Sequence, residues 1–225
     1  MDARRIIIWI IALIPLIVTV ALLPQMAAIV PAHYGIDGIV DRYDSKYTML
    51  IFPLIIIVLV ALRDVLPRKL GRDDLLQANL AVVDRLLLPV VVVFVVLNLL
   101  MVWLVTTQVQ NIYAASLPVP QLILAGISLL FVIIGNLLPK TKPNWYIGIR
   151  VSWTINHPMV WYKTHRFGGL LMTVWGIIGL CVTLLVSSPA HAAIVVLAGT
   201  IVMMASTLIY AYRCYCQLHS EGRDE

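Results

Sequence analysis

Residues 135–169 concentrate the side chains of this chain that can do chemistry. Between residues 139 and 167 there are five Lys or Arg, three Trp and two His, without a single Asp or Glu. Arg150 and Arg166 carry guanidinium groups, each of which can bind a carboxylate or phosphate through two parallel hydrogen bonds. The stretch therefore predicts one of two things: an interfacial connector paired with anionic lipid, or a surface that recognises a partner.

The sequence contains no GxSxG, HExxH, Walker A or dinucleotide-binding motif. His165, His219, Cys214 and Cys216 can lie near one membrane face, but their spacing is not that of a zinc site or a disulfide framework. No acidic, basic or His residue falls in the middle of an apolar run, which argues against a proton-driven transporter and a voltage sensor. We therefore expect a protein that is not an enzyme and that uses no metal or cofactor.

The elements that must position these side chains are membrane spans. Mean hydropathy is +0.97 and only 12% of residues are charged, against about 25% in soluble domains. A span needs about 20 mainly apolar residues, and six runs approach or reach that length: 6–23, 47–66, 86–105, 117–138, 168–186 and 189–212. The predicted fold class is all-α, a polytopic membrane protein with six transmembrane helices. Asn98, inside the third run, is predicted to form a hydrogen bond between helices.

The distribution of basic residues predicts the orientation. If the N-terminus is inside, 14 of the 16 Lys and Arg residues face the cytoplasm, as the positive-inside rule requires. Arg42 and Lys46 are then the two outside. We expect cytoplasmic N- and C-termini. The first run has 18 residues, longer than the roughly 7–15 of a signal-peptide core, so it is predicted to be an uncleaved span.

The predicted organisation has three parts: an N-terminal two-helix module (1–66), a cytoplasmic connector (67–85) and a four-helix module (86–225) that contains the basic aromatic loop 139–167. Asp73 and Asp74 are predicted to start a helix, and Arg63 is predicted to snorkel to the headgroups. The outer loop before the second span is rich in Gly, Pro and Asp and is predicted to form turns.

Within the basic loop, Pro143-Asn144 predicts a turn. Asn156 or His157 is predicted to cap a short helix that begins at Pro158. The pair Gly168-Gly169 is predicted to break that helix before the fifth span.

The loop contains a dense series of short motif elements: Gly135-Asn136, Leu138-Pro139-Lys140, Pro143-Asn144, Gly148-Ile149-Arg150, Trp153-Thr154, Val160-Trp161, Thr164-His165-Arg166 and Gly168-Gly169. Together they resemble the signature of the SdpI family of bacterial immunity and signalling proteins. The family pattern has Thr-Pro where this chain has Val151-Ser152. The resemblance, together with the chemistry of the loop, makes these residues candidates for binding a partner or lipid: Asn136, Pro139, Lys140, Pro143, Asn144, Gly148, Arg150, Trp153, Thr154, Trp161, Thr164, His165, Arg166 and Gly169.

The front of the chain contains the elements Leu23-Pro24, Pro31, His33-Tyr34, Gly35, Asp37-Gly38, Lys46 and Pro53. Together they resemble the domain of unknown function that commonly precedes an SdpI module. The candidate residues of its outer loop are Pro31, His33, Tyr34, Gly35, Asp37 and Lys46. His33 either senses acidity at the outer surface or caps a turn. Spans three and six carry no motif of either resemblance.

The resemblance implies a multi-pass protein of the bacterial cell membrane. It implies protection against a secreted antimicrobial peptide toxin outside and, inside, capture of a helix-turn-helix autorepressor at the membrane. Anionic membrane lipids are expected partners and direct nucleic-acid binding is not. Two alternatives remain open. One is a lipid-headgroup-binding enzyme or flippase-like protein of the inner leaflet, with Arg150, His165 and Arg166 on the phosphate. The other is a structural assembly factor.

Overall fold

A computed structural model describes residues 3–70 and 74–221 of the chain. Within these residues, six helices are long and apolar enough to cross a membrane, which confirms the predicted fold class. A seventh helix, α5, is a four-residue turn at Ser152–Ile155. The six long helices are α1 (Ala3–Leu22), α2 (Ile51–Leu70), α3 (Asp74–Thr106), α4 (Val119–Leu137), α6 (Pro158–Leu185) and α7 (Pro189–Glu221).

The start of α1 and the end of α7 lie on the same side of the helix bundle. The Arg4 guanidinium donates to the Asp84 carbonyl near the start of α3, at 2.7 Å. Near the end of α7, the Tyr215 ring contacts the His157 ring, with centroids 5.1 Å apart. We call this side, which also carries residues 138–157, the terminal face, and the opposite side the hairpin face.

The hairpin face takes its name from a β-hairpin in the outer loop, where only turns were predicted. Strands β1 (Ile29–Tyr34) and β2 (Val40–Ser45) pair antiparallel, with Ile29 opposite Ser45. The predicted turn chemistry is confined to the tip, where Gly38 has a φ of 78° that favours glycine.

The hairpin is held by the loop that joins α3 to α4. Tyr34 donates its hydroxyl to the Val109 carbonyl at 2.9 Å, and Tyr113 donates to the Ile36 carbonyl at 2.6 Å. Burial, followed by the neighbouring Tyr43, raises the pKa of Tyr34 above its ordinary value. The Tyr34 phenol therefore remains protonated and keeps donating throughout the physiological pH range.

Helices α1, α2 and α3 pack around a buried apolar cluster that includes Ile8, Ala12, Ile56 and Val91. Many apolar side chains on the outer surfaces of the long helices are exposed. Because a soluble protein rarely leaves such continuous apolar surface in water, these belts are suited to lipid.

Helices α4 and α6 approach closely because small residues meet at their crossing. A Cβ added to Gly169 would lie 2.6 Å from the Gly135 carbonyl oxygen, and one added to Gly176 would lie 2.6 Å from the Ser128 carbonyl oxygen. Small residues at such crossings let the backbones of membrane helices touch. The predicted helix break at Gly168-Gly169 is therefore wrong, since α6 continues through both glycines.

The segment predicted as a connector is largely helical. Helix α2 runs to Leu70 and α3 begins at Asp74, as predicted, and then continues without interruption to Thr106. Asp73 lies outside the described residues. The helix predicted at Pro158 also begins there, with His157 at the N-cap position, but no side chain caps it.

Arg63 turns inward instead of snorkelling. Its guanidinium makes two hydrogen bonds with the Asp84 carboxylate, one from Nε to Oδ1 and one from the terminal nitrogen to Oδ2 at 2.7 Å. On α1, Trp9 donates its indole N–H to Asp64 at 2.9 Å. These bonds tie α1, α2 and α3 together at the terminal face, where a buried guanidinium requires a partner.

Candidate functional site

His165 and Trp161 form the buried centre of the terminal-face loop. The Trp161 indole N–H donates to the Thr141 carbonyl at 3.1 Å, and the two rings stack with centroids 3.9 Å apart. His165 is only 1% exposed. The two side chains, one turn apart on α6, thus hold the loop from inside.

Both nitrogens of His165 are engaged. Nε2 accepts the backbone N–H of Ile149 at 2.9 Å, and Nδ1 lies 2.8 Å from the Trp161 carbonyl. Because a backbone N–H only donates, Nε2 carries no proton, and the proton on Nδ1 donates to the carbonyl. The ring is therefore neutral and cannot also contact a phosphate.

Gly148 allows the loop to reach this ring. Its φ of +115° favours glycine, and an added Cβ would lie 2.4 Å from Nε2 of His165. The family motif Gly148-Ile149-Arg150 thus has a local reason. Gly148 permits the close approach to His165, Ile149 donates its backbone N–H to the ring, and Arg150 is exposed on the outside of the loop.

Asn144 builds the turn predicted at Pro143-Asn144. Its Oδ1 accepts the backbone N–H groups of Tyr146 at 2.8 Å and Ile147 at 2.7 Å, while its Nδ2 donates to the Lys142 carbonyl at 2.6 Å. An Asn side chain that bonds the backbone just after it is typical of such turns. The loop is thereby ordered by its own polar groups.

Thr154 closes the last part of the loop. Its hydroxyl accepts the Val151 N–H at 3.1 Å and donates to the Ile149 carbonyl at 2.7 Å. Helix α5 forms even though Val151-Ser152 stands where the family has Thr-Pro. The Trp153 ring packs edge-on against Tyr212 of α7, with centroids 5.6 Å apart.

Asn79 of α3 contacts the loop, which the sequence analysis did not predict. Its side-chain oxygen accepts the backbone N–H of Lys142 at 2.9 Å, and the residue is buried. An Asn in the apolar stretch at the start of α3 was the available signal, but its partner lies 63 positions away. This bond joins the loop to the first half of the chain.

The outward surface of the loop is basic and aromatic. Trp145 is 72% exposed, and the Arg150 guanidinium donates to the Trp145 carbonyl. On the first turns of α6, Arg166 donates to the Tyr162 hydroxyl at 3.2 Å. Lys142 and Lys163 are also exposed. We call the group Lys142, Trp145, Arg150, Lys163 and Arg166 the basic surface. Its chemistry suits carboxylates or phosphates.

The candidate residues of the loop divide by burial. Asn136, Lys140, Arg150 and Arg166 are exposed, and Lys140 donates to Asn136 at 3.4 Å. Those that are half-buried are Pro139, Pro143, Gly148 and Trp153. Those that are buried are Asn144, Thr154, Trp161, Thr164, His165 and Gly169. In this conformation the buried residues shape the loop, and only the exposed ones can meet a partner.

The outer candidates mostly build the hairpin. His33 Nδ1 donates to Asp41 at 2.6 Å across the two strands, and Lys46 donates to the Leu23 carbonyl at 3.0 Å. At the tip, the Gly35 N–H donates to the Ile39 carbonyl at 2.8 Å, and Asp37 accepts the Ile39 N–H at 3.1 Å. Pro31 is buried in β1.

The two groups of candidates do not meet, since one lies on the terminal face and the other on the hairpin face. Comparison with known families matches the outer candidates to one family and the loop candidates from Lys140 onward to another, while Asn136 and Pro139 precede the matched residues. Residues 140–211 match the SdpI/YfhL protein family, and residues 10–57 match a domain of unknown function, DUF1648. The chain therefore carries an SdpI-family region, preceded by a DUF1648 region.

The SdpI-family match includes the basic surface, α5, α6 and α7 up to residue 211. The sixth span, which carried no motif, therefore belongs to the family region. The DUF1648 match covers the hairpin and parts of α1 and α2. No curated protein and no solved structure matches the chain. The family and the six spans place the protein in the cell membrane as a multi-pass protein.

Proposed function

We propose that this protein protects a bacterial cell against a secreted antimicrobial peptide toxin and, when the toxin is present, holds a helix-turn-helix autorepressor at the membrane. In this proposal the hairpin face is outside and meets the toxin, and the terminal face is cytoplasmic and meets the repressor. Family membership supports an immunity-type role. No catalytic step is part of the proposal.

The observation that carries the proposal is the construction of the basic surface. Trp145 and Arg150 are exposed, while the residues beneath them are fixed by Asn144, His165 and Trp161. A loop ordered before binding loses little conformational freedom when a partner docks. Trp and Arg are also the residues that most often dominate the binding energy of protein interfaces.

Helix α3 supports communication between the two faces. At the terminal face its Asn79 bonds the loop through Lys142. Just beyond its other end, Val109 accepts the hydroxyl of Tyr34 from the hairpin. A toxin that alters this hairpin contact and a repressor that binds the loop would both act on one continuous helix, which is the arrangement that coupling between two sites needs.

The test is a survival assay in a sensitive bacterial strain. Cells that express the protein and cells with an empty vector are challenged with culture supernatant from the organism that carries the gene. The proposal predicts survival only with the protein, and relocation of a fluorescently tagged repressor from the nucleoid to the membrane on challenge. Equal killing of both strains would contradict the immunity role. Protection without relocation would contradict the sequestration role.

A further inference from the structure

A cavity of mixed chemistry lies beneath the hairpin. It measures about 380 Å³ and is formed by the hairpin, the start of α2 and the last third of α3. Most of its wall is apolar, contributed by Met49, Ile51, Phe52 and Met101. Neither family match assigns a ligand to it, and it lies on the opposite face from the basic surface.

Asn98 provides a buried polar group in this wall. Asn98 is 2% exposed. Its Oδ1 accepts a hydrogen bond from the Thr19 hydroxyl of α1 at 3.5 Å, which is the predicted bond between membrane helices. Among the described residues, no acceptor bonds the Nδ2 group of Asn98. An amide group left unbonded in an apolar wall is costly, so a ligand with a complementary polar group is favoured there.

Arg42 and Asp44 provide opposite charges at the cavity mouth. They are two positions apart on β2, so they lie on the same side of the strand, about 7 Å apart along it. Among the described residues, Arg42 has no carboxylate partner. Asp44 accepts only its neighbour Ser45 N–H, through Oδ1. The mouth thus offers one cationic and one anionic contact.

We propose that this cavity binds a phospholipid with an ethanolamine headgroup from the leaflet on the hairpin side. Arg42 binds the phosphate, Asp44 binds the primary ammonium and the Asn98 amide bonds an ester oxygen. Phe52 and Met101 contact the start of an acyl chain. The charge order of the mouth suits a zwitterionic headgroup better than an anionic one, because an anionic headgroup would leave Asp44 opposed to negative charge.

The depth of the cavity favours a lipid over a peptide. Asn98 precedes the end of α3 at Thr106 by eight residues, which is about 12 Å along a helix. The cavity therefore runs from charged groups on the hairpin to an amide well inside the span. A phospholipid presents charge, ester and hydrocarbon in that order.

The test uses the purified full-length protein and native mass spectrometry with two lipids of identical acyl chains, dioleoyl phosphatidylethanolamine and dioleoyl phosphatidylcholine. The wild type should retain the ethanolamine lipid in preference, because Asp44 can bond a primary ammonium but not a quaternary one. Arg42→Gln should weaken retention about tenfold, the effect of losing one charge-assisted contact. Asn98→Leu should also weaken it.

Arg213→Gln is the matched control, since it removes the same charge from an exposed position near the terminal face. The control should retain the ethanolamine lipid like the wild type. Equal retention of the two lipids by the wild type would overturn the proposal, as would equal loss in Arg42→Gln and Arg213→Gln. Arg42 is exposed on a strand, so its variant is informative even if Asn98→Leu fails to fold. A mass spectrum that shows the protein without lipid and with a secreted peptide bound in its place would also overturn the proposal.

Discussion

At the scale of the residue, the terminal-face loop contains two kinds of side chain: buried ones that stabilise its conformation and exposed ones that can contact a partner. His165 and Arg166 are neighbours in the chain and in the family motif, yet His165 is buried with both nitrogens bonded and Arg166 is exposed. Adjacent helix positions point about 100° apart, so one motif serves two purposes. Substitutions at these two positions should therefore have different physical effects.

His165→Ala should destabilise the protein. It removes the acceptor of the Ile149 N–H and leaves a cavity beside Trp161, so we expect a fall in melting temperature of about 5–10 °C. The measurement is thermal unfolding of purified protein in one detergent. Arg166→Ala is the matched control and should change the melting temperature by less than about 2 °C. Equal stability of the two variants would show that the His165 bonds do not hold the loop.

Some of these residue-level features could be predicted from the sequence. The Pro143-Asn144 turn and the helix start at Pro158 follow from local chemistry, and both are present. The burial of His165 could not be predicted, because its partner Ile149 comes from a loop whose path depends on Gly148. Because His165 is buried with both ring nitrogens hydrogen-bonded, the geometry does not support the lipid-phosphate role considered for it.

At the scale of the element, packing between helices overrides local signals. The pair Gly168-Gly169 is a strong local signal for a helix end, yet α6 continues because Gly169 lies against Gly135 of α4. Similarly, β1 contains Pro31 and β2 is almost entirely polar, so neither shows the alternation typical of a strand. The hairpin depends on contacts with residues 107–113, far away in the sequence.

Gly169→Ala should loosen the crossing of α4 and α6. The added methyl group would lie 2.6 Å from the Gly135 carbonyl oxygen, and such overpacking costs about 1–3 kcal/mol. Gly126→Ala is the control, because its added methyl group would meet only Val93, at 3.4 Å. The two variants are compared by chemical unfolding in mixed micelles. A control as unstable as Gly169→Ala would argue that any helix methyl group is harmful there.

The ion pair between α2 and α3 gives a second prediction at this scale. The side chain of Asp84 is 38% exposed and that of Arg63 is 7% exposed. Asp84→Leu should therefore cost about 1–3 kcal/mol, since solvent near Asp84 screens part of the interaction while Arg63 stays buried without its bidentate partner.

The double variant Arg63→Leu with Asp84→Leu should recover at least half of that loss, because it removes the buried charge along with its partner. Both variants are compared with the wild type by the same unfolding measurement. A double variant less stable than Asp84→Leu alone would mean that the guanidinium stabilises the bundle mainly through other contacts.

At the scale of the whole molecule, the apolar runs predicted the six-span fold well. All six spans are present, because length and hydropathy are properties of continuous segments. The hydrogen bond between Asn79, in the predicted connector, and Lys142 could not be predicted, since the two residues are 63 positions apart in the sequence. The orientation of the bundle remains a prediction from the positive-inside rule.

That orientation predicts the outcome of cysteine labelling in whole cells. After Cys181, Cys214 and Cys216 are replaced by Ser, single cysteines are introduced at Ile36, which is 64% exposed, and at Trp145. A membrane-impermeant maleimide should label Ile36→Cys in intact cells and Trp145→Cys only after the cells are opened. The reverse pattern would place the basic surface outside the cell.

The most direct test of the account is survival of cells that carry Arg150→Ala, challenged with the same culture supernatant at matched expression. Arg150 is exposed, so its loss should leave the fold intact while removing a main contact of the basic surface. We predict that the wild type and Arg213→Ala protect, and that Arg150→Ala reduces survival by at least about tenfold. Full protection by a stably expressed Arg150→Ala would contradict a role for the basic surface in immunity.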